Sequence, residues 1–244
     1  MRSVRPEQRH ATLGRAIRLF RLFLREQSDP ADFYSALASD SVEQLSCWVP
    51  LAGATVLDVG GGPGFFGRAF QQRGATYVGV ELDVESDLPA EIFGLCASGE
   101  ALPIRTASVD VAYSSNVIEH LRRPWRMAEE MVRVTKPGGT ILLSFTPWFS
   151  PWGGHETAPW HFFGGHYARR RYARRTGHQP KNAYGDTLFG YRVADALAWV
   201  AGRPDVELVA ALPRYHPWWA WWLVRVPLVR EVALWNLALV LRRR

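Results

Sequence analysis

Residues 57–67, LDVGGGPGFFG, limit the folds open to this chain more than any other stretch. They close a short run, ATVLDVG (54–60), rich in β-branched side chains. Asp58 stands at its end, and Gly60, Gly62 and Gly64 follow at alternate positions. Glycine takes backbone angles that other residues avoid and lets the backbone approach a ligand closely. GFFGRAFQQRG (64–74) then reads as a helix that stops at Gly74. A helix begun at such a turn aims its N-terminal N–H groups at whatever lies over the glycines. The stretch therefore predicts a strand, a ligand-contacting turn and a helix.

The alternation continues downstream. TYVGVEL (76–82) and VDVAYSS (109–115) read as strands, and a helix runs through 122–135. KPGG (136–139) reads as a turn and TILLSFT (140–146) as the next strand. Apolar strands alternating with helices predict an α/β fold with a doubly wound parallel sheet. Upstream, residues 10–27 place Leu13, Ile17, Phe20 and Leu24 on one helical face, with the arginines mostly opposite. A second helix over 30–48 turns Phe33, Tyr34, Leu37 and Leu45 inward. These two helices predict an N-terminal cap over 1–50, ahead of one domain over 51–244. Residues 147–190 are rich in Pro, Gly, His, Trp and Arg and show no period. A loop-rich insert of that length in a compact domain is usually functional. Helical pattern returns at 192–202, and VELVAAL (206–212) and VALWNLALVL (232–241) read as strands.

A glycine-rich strand-to-helix turn alone does not choose a cofactor, because dinucleotide enzymes use one too. Two details favour S-adenosyl-L-methionine. Asp58 directly precedes the glycines, where a carboxylate suits a cationic amino acid moiety and opposes a pyrophosphate. The glycines also read D-x-G-x-G-x-G, a poor match to G-x-G-x-x-G. Glu81, ending the second strand, suits two ribose hydroxyls in either cofactor class.

DVGGGPG, GVELD, ASGEALPI, VDVAYSSNVIEHL and VTKPGGTILLSF occur in the order found in class I S-adenosylmethionine-dependent methyltransferases. The chain resembles that family over about residues 45–146, and within it the subgroup that includes quinone-biosynthesis methyltransferases. The resemblance implies a Rossmann-like, seven-stranded sheet whose last strand is antiparallel, with VALWNLALVLRR as that strand beside VELVAAL. It implies that Asp58, Gly60, Gly62 and Gly64 surround the methionine moiety. Glu81 would hold the ribose and Leu82 would pack on the adenine. Where the family often has an Asp near the adenine amine, this chain has Ser98, whose hydroxyl makes a weaker contact. Gly99 and Glu100 share that position, and Asn116 would line the pocket near the sulfonium. More distantly, the whole chain, including RYHPWWAWW and GGHE, resembles actinobacterial methyltransferases associated with cell-envelope mycolate metabolism. That resemblance implies a lipid or lipid-linked acceptor.

Methyl transfer is an in-line displacement that mainly needs alignment and exclusion of water. SSNV after the fourth strand lacks the N/D-P-P-Y/F pattern of base amino-group methylation, and neither Cys47 nor Cys96 sits in a Pro-Cys motif. DNA is therefore not an expected partner, and O-methylation leads, ahead of C-methylation. A hydroxyl acceptor benefits from a base. The candidates are His120 in IEHL, and His155 and Glu156 in the insert's GGHE. His155, Glu156, His161 and His166 follow H-E-x4-H-x4-H, which matches no common zinc spacing, so no metal is expected from that run.

The chain has 244 residues and a formal charge of +6, and Lys136 and Lys181 are its only lysines. An arginine-rich surface suits phosphate or carboxylate, and RRRYARR (169–175) offers either a solvated helix face or a site for RNA or lipid headgroups. RNA is the less favoured partner, since only charge speaks for it. Two cysteines fit a reduced, cytoplasmic setting. No stretch is apolar enough to span a bilayer, since Arg225, Pro227, Arg230 and Glu231 interrupt the nearest candidate, 217–241. No export leader is expected either, because Arg15, Arg18, Arg21 and Arg25 break up the N-terminal apolar residues. Trp218, Trp219, Trp221 and Trp222 crowd the segment 213–231. Flanked by arginines, they read as a contact with the inner face of the plasma membrane or as a lid over an apolar pocket. The expected activity is O-methylation of a lipid or amphipathic cell-envelope precursor. A soluble small molecule as acceptor, or a non-catalytic cofactor-binding partner protein, are the alternatives.

Overall fold

The computed structural model describes residues 5–26, 28–82 and 92–244. Seven strands form one sheet in the order β3-β2-β1-β4-β5-β7-β6. They are β1 Thr55–Val59, β2 Thr76–Glu81, β3 Gly94–Cys96, β4 Val109–Ser115, β5 Thr135–Phe145, β6 Val206–Pro213 and β7 Leu237–Arg243. The helices are α1 Pro6–His10, α2 Leu13–Phe23, α3 Pro30–Ser46, α4 Phe65–Gln72, α5 Pro124–Val134, α6 Gly165–Thr176, α7 Val193–Ala201 and α8 Val229–Ala233.

Period-two alternation sorts the strand side chains onto two buried faces. Leu57, Val59, Ile141, Leu143, Leu239 and Leu241 point to one side, where Met127 and Met131 of α5 and Val193 and Val200 of α7 cover them. Val56, Val111, Leu142 and Val240 point to the other, against Leu37 and Leu45 of α3 and Phe66 and Phe70 of α4. The sheet is parallel except for β7, which runs antiparallel between β5 and β6 and sets Leu239 opposite both Leu143 and Ala211. The strand order reverses between β1 and β4, which pair through Leu57 and Ala112. Their carboxyl ends therefore form the crevice where open α/β sheets bind ligands.

Several expectations are revised. β3 has three residues, too few to show a period. β5 runs through KPGG, and Gly138 (φ +78°) and a break in the β4–β5 register mark the distortion where a turn was expected. The last strand starts at Leu237, since 229–233 are helical. The insert carries a twelve-residue helix, α6, that contains RRRYARR. Helix α2 buries Arg15 and Leu19 and leaves Leu13, Ile17 and Leu24 exposed.

Candidate active site

The turn after β1 is built from close approaches. Gly60 has φ +82°, and a Cβ there would lie 2.3 Å from Val117 Cγ2. Gly61, which the alternate-glycine pattern passes over, is as constrained, because a Cβ would meet the Tyr77 hydroxyl at 2.4 Å and Asp58 Oδ2 at 2.6 Å. Gly64 caps α4 in the left-handed conformation.

Asp58 is 1% exposed. Its Oδ2 accepts a hydrogen bond from the Tyr77 hydroxyl at 3.0 Å, and its Oδ1 has no partner among the described residues. Burial pushes its carboxyl up to about 8, opposed by the Tyr77 hydrogen bond and assisted by the nearby Glu81. An orphaned buried acceptor beside a glycine cradle fits a ligand that brings a positive charge. Glu81, at the end of β2, accepts from the Gly62 N–H, and burial raises its carboxyl above the usual range. Ribose hydroxyls would take over that contact. Leu82 is exposed beside it.

The remaining predicted cofactor residues lie at the same carboxyl edge. Ser98 Oγ accepts from the Glu100 N–H at 3.2 Å, while the Glu100 carboxylate pairs with Arg123 at 2.7 Å. Gly99 packs where a Cβ would meet Val59 at 2.8 Å. Asn116 takes φ +59°, and its Oδ1 accepts from Asn236 Nδ2 at 2.7 Å.

The three candidate catalytic residues separate. The His120 and His155 rings lie 5.2 Å apart, edge to face. His120 Nδ1 meets the Thr187 carbonyl at 2.8 Å. Burial holds the His155 imidazole below its ordinary value, with Glu119 pulling the other way. The acidic partner of this pair is Glu119, the sequence neighbour of His120. Glu156 is exposed and accepts from Asn182 Nδ2 at 2.9 Å. Only its adjacency in IEH marked Glu119, and adjacency does not reveal burial. His161 is buried, with Nε2 at 3.0 Å from the Ser150 carbonyl, and His166 packs edge-on against Tyr184. Both brace the insert.

Sequence reasoning also missed Arg214. It is fully buried where the chain leaves β6, and donates to Ser115, Ser144, Ser41 and Tyr113 at 2.5–3.1 Å. A surface groove of about 430 Å³ lined by Leu197, Val200 and Leu208 lies at the opposite, amino end of β6. It plays no part in this site.

A family model described as a methyltransferase domain matches residues 57–143. An uncharacterized methyltransferase of Mycolicibacterium gilvum is 50% identical over 250 residues, covering 95% of each chain. One from Mycobacterium marinum is 49% identical over 249 residues and covers 97% of each. The chain belongs to the S-adenosylmethionine-dependent methyltransferases. Solved structures of such methyltransferases share the fold. The one from Mesorhizobium loti superposes with a TM-score of 0.58 at 18% identity, covering 86% of this chain and 98% of that one. A geranyl diphosphate methyltransferase in complex with S-adenosylmethionine gives 0.54 at 16% identity, covering 86% and 85%. The cofactor of this methyltransferase is S-adenosylmethionine, and the unpaired buried oxygen of Asp58 beside the close-packed Gly61 suits the charge of its ammonium group.

Proposed function

We propose that this methyltransferase O-methylates a lipid or amphipathic cell-envelope precursor at the cytoplasmic face of the membrane. The supporting observation is an exposed apolar surface at the edge of the sheet that carries the site. The chain leaves the carboxyl end of β6 at Arg214 and enters a 3₁₀ turn, Trp218–Arg225. Trp218, Trp219 and Trp222 are about half exposed there. The Trp218 N–H donates to the Ala11 carbonyl at 2.8 Å, which joins the turn to the start of α2 and its exposed Leu13 and Ile17. An apolar acceptor tail has a surface to follow, and its polar head would face the crevice.

S-adenosylmethionine supplies an electrophilic methyl group. Asp58, Glu81 and the glycine turn orient it. With that group bound, the acceptor oxygen would take the methyl carbon, the carbon–sulfur electron pair would stay on sulfur, and the hydroxyl proton would pass to the Glu119, His120 and His155 cluster. His155, kept neutral by burial, is in the form that accepts a proton.

The test offers purified protein and methyl-labelled S-adenosylmethionine to a fractionated extract of its own cells. Label is expected in the organic phase and is lost with Glu81→Ala. Label in RNA or in the aqueous metabolites would overturn the lipid acceptor. Cofactor binding with no label in any fraction would overturn turnover itself and favour a partner-protein role.

A further inference from the structure

We propose that Glu119, His120 and His155 form a binding site for a single divalent transition-metal cation, of the zinc or cobalt class. One ligand atom from each residue lies within 4.8 Å of the other two. Ligand bonds to such a cation are ~2.0–2.2 Å, so side-chain movements of about 1 Å bring all three onto one ion. Two imidazoles and a carboxylate are the donor set that suits zinc, cobalt or iron over magnesium.

The unpaired polar atoms of the cluster point the same way. Glu119 is 1% exposed; its Oε1 accepts from the Thr146 N–H at 3.0 Å, but Oε2 has no partner among the described residues. His155 Nδ1 is also buried and makes no well-formed hydrogen bond, its ring having only a weak contact with the Gly153 backbone. A buried carboxylate oxygen left unpaired is costly, and a cation is one of the few groups that offsets it. The support around the cluster is that of a ligand set. The His120 Nδ1 contact with the Thr187 carbonyl selects the tautomer that leaves Nε2 with its lone pair. The Glu119 carbonyl accepts from the Phe189 N–H at 2.8 Å, which fixes the turn against the segment after α6.

The ligands arrive from two places: the turn after β4, and the insert after β5 through the GGHE loop. The H-E-x4-H-x4-H run drew on the insert alone and so did not combine these residues. His155 holds φ +48°, in the left-handed region that few non-glycine residues adopt, and its ring stands edge to face with that of His120. Three protein ligands leave coordination positions open, the arrangement of a catalytic site. The site's use in catalysis rests on the hydroxyl-acceptor reading; the site itself does not. A hydroxyl on such a cation would lose its proton to solvent water more readily, so the two imidazoles would act as ligands and no side-chain base would be needed to take the proton.

Full-length protein stripped with a chelator would be titrated calorimetrically with Zn²⁺, Co²⁺ and Mg²⁺, without acceptor. One equivalent of Zn²⁺ or Co²⁺ is expected, with Mg²⁺ far weaker and visible Co²⁺ bands reporting nitrogen ligands. Glu119→Gln and His155→Ala are each expected to weaken binding by at least about 10–100-fold. His178→Ala, on a solvent-exposed histidine outside the cluster, is expected to bind as the unaltered protein does. Circular dichroism melting checks that each variant is folded, and His120→Asn replaces any variant that is not. Absence of stoichiometric binding, or binding that survives in folded His155→Ala and Glu119→Gln, would overturn the site. Because no acceptor is present, the result is independent of where label goes in the extract. Label in the organic phase with no bound cation would leave the lipid reading intact and remove only the metal.

Discussion

A carboxyl group with 1% exposure and one unpaired oxygen keeps its proton, and Asp58 does so up to about pH 8. The unfolded chain would release that proton near the ordinary aspartate value of 3.8. Between those values the folded free protein binds more protons than the unfolded one, so this group's contribution to stability is full below about pH 4. It is lost as pH rises toward 8, at up to ~1.4 kcal/mol per unit. Asp58→Asn is therefore expected to raise the melting temperature of the free protein at pH 8 and to leave it nearly unchanged at pH 4. Cofactor binding carries the opposite sign. The ligand's ammonium needs the ionised carboxylate, so affinity for S-adenosylhomocysteine is expected to fall about tenfold per unit as pH drops below 8. Calorimetry at pH 6.5 in buffers of different ionisation enthalpy would register close to one proton released per ligand bound. No buffer dependence would mean that Asp58 is already ionised in the free protein. Gly61 makes a second residue-scale case. Its missing Cβ would strike Asp58 and Tyr77, so Gly61→Ala is expected to cost at least tenfold in cofactor affinity, measured in the same titration.

Helix α2 shows how a periodic pattern locates an element without saying which face turns inward. Leu13, Ile17, Phe20 and Leu24 do share a face, yet the residues it buries are Arg15 and Leu19. The reason lies outside the helix. Arg15 forms a bidentate pair with Asp40 of α3 at 2.7 and 2.6 Å and donates to the Arg214 carbonyl at 3.0 Å. Those partners are 25 and 199 residues away, and no local pattern contains them. Most strands are legible because they are short apolar runs that fill both faces of the sheet, as Val56, Leu57 and Val59 do in β1; the three-residue β3 is too short to show one. The glycine turn after β1 is legible because a tight backbone approach demands glycine in the chain itself. Glu119 and Arg214 are not, since what makes them unusual is burial assembled from several elements. For the same reason Arg15→Leu is expected to be costly. It strands Asp40, which among the described residues then keeps the exposed Arg18 guanidinium at 3.7 Å and the His10 ring at 3.6 Å, whose charged form burial disfavours. Removing one partner of a buried pair costs about 3–5 kcal/mol, whereas replacing both partners by apolar residues costs much less. Urea unfolding of Arg15→Leu and of Arg15→Met with Asp40→Leu compares the two. Equal destabilisation would mean that α2 is held by packing and not by the pair.

The exposed face of α2 acquires a meaning only at the scale of the whole molecule. No helix among the described residues is long and apolar enough to cross a membrane. Instead, apolar groups are exposed on several segments: Leu13 and Ile17 of α2, Trp218, Trp219 and Trp222 of the 3₁₀ turn, and Leu228, Val229 and Val232 at and beside α8. The hydrogen bond from Trp218 to Ala11 ties the first two groups together. Exposed Arg18, Arg21, Arg25 and Arg225 accompany them. Aromatic rings with arginines beside them match the interface of an anionic bilayer. A half-exposed Trp offers about 100 Å² of ring surface, worth ~2.5 kcal/mol if fully inserted. Partial insertion reduces that figure, and two such rings still predict at least a tenfold loss of binding when both are removed. Trp219→Ala with Trp222→Ala is therefore expected to weaken co-flotation with liposomes containing anionic lipid by at least about tenfold, while cofactor affinity stays as it was. Raising the salt should weaken the unaltered protein's binding without ending it, because the arginine contribution is screened and the apolar one is not. Unchanged flotation of the double variant would make the tryptophans a lid over the crevice. The same substitutions should then open the site to water and slow methyl transfer without moving the protein off any surface.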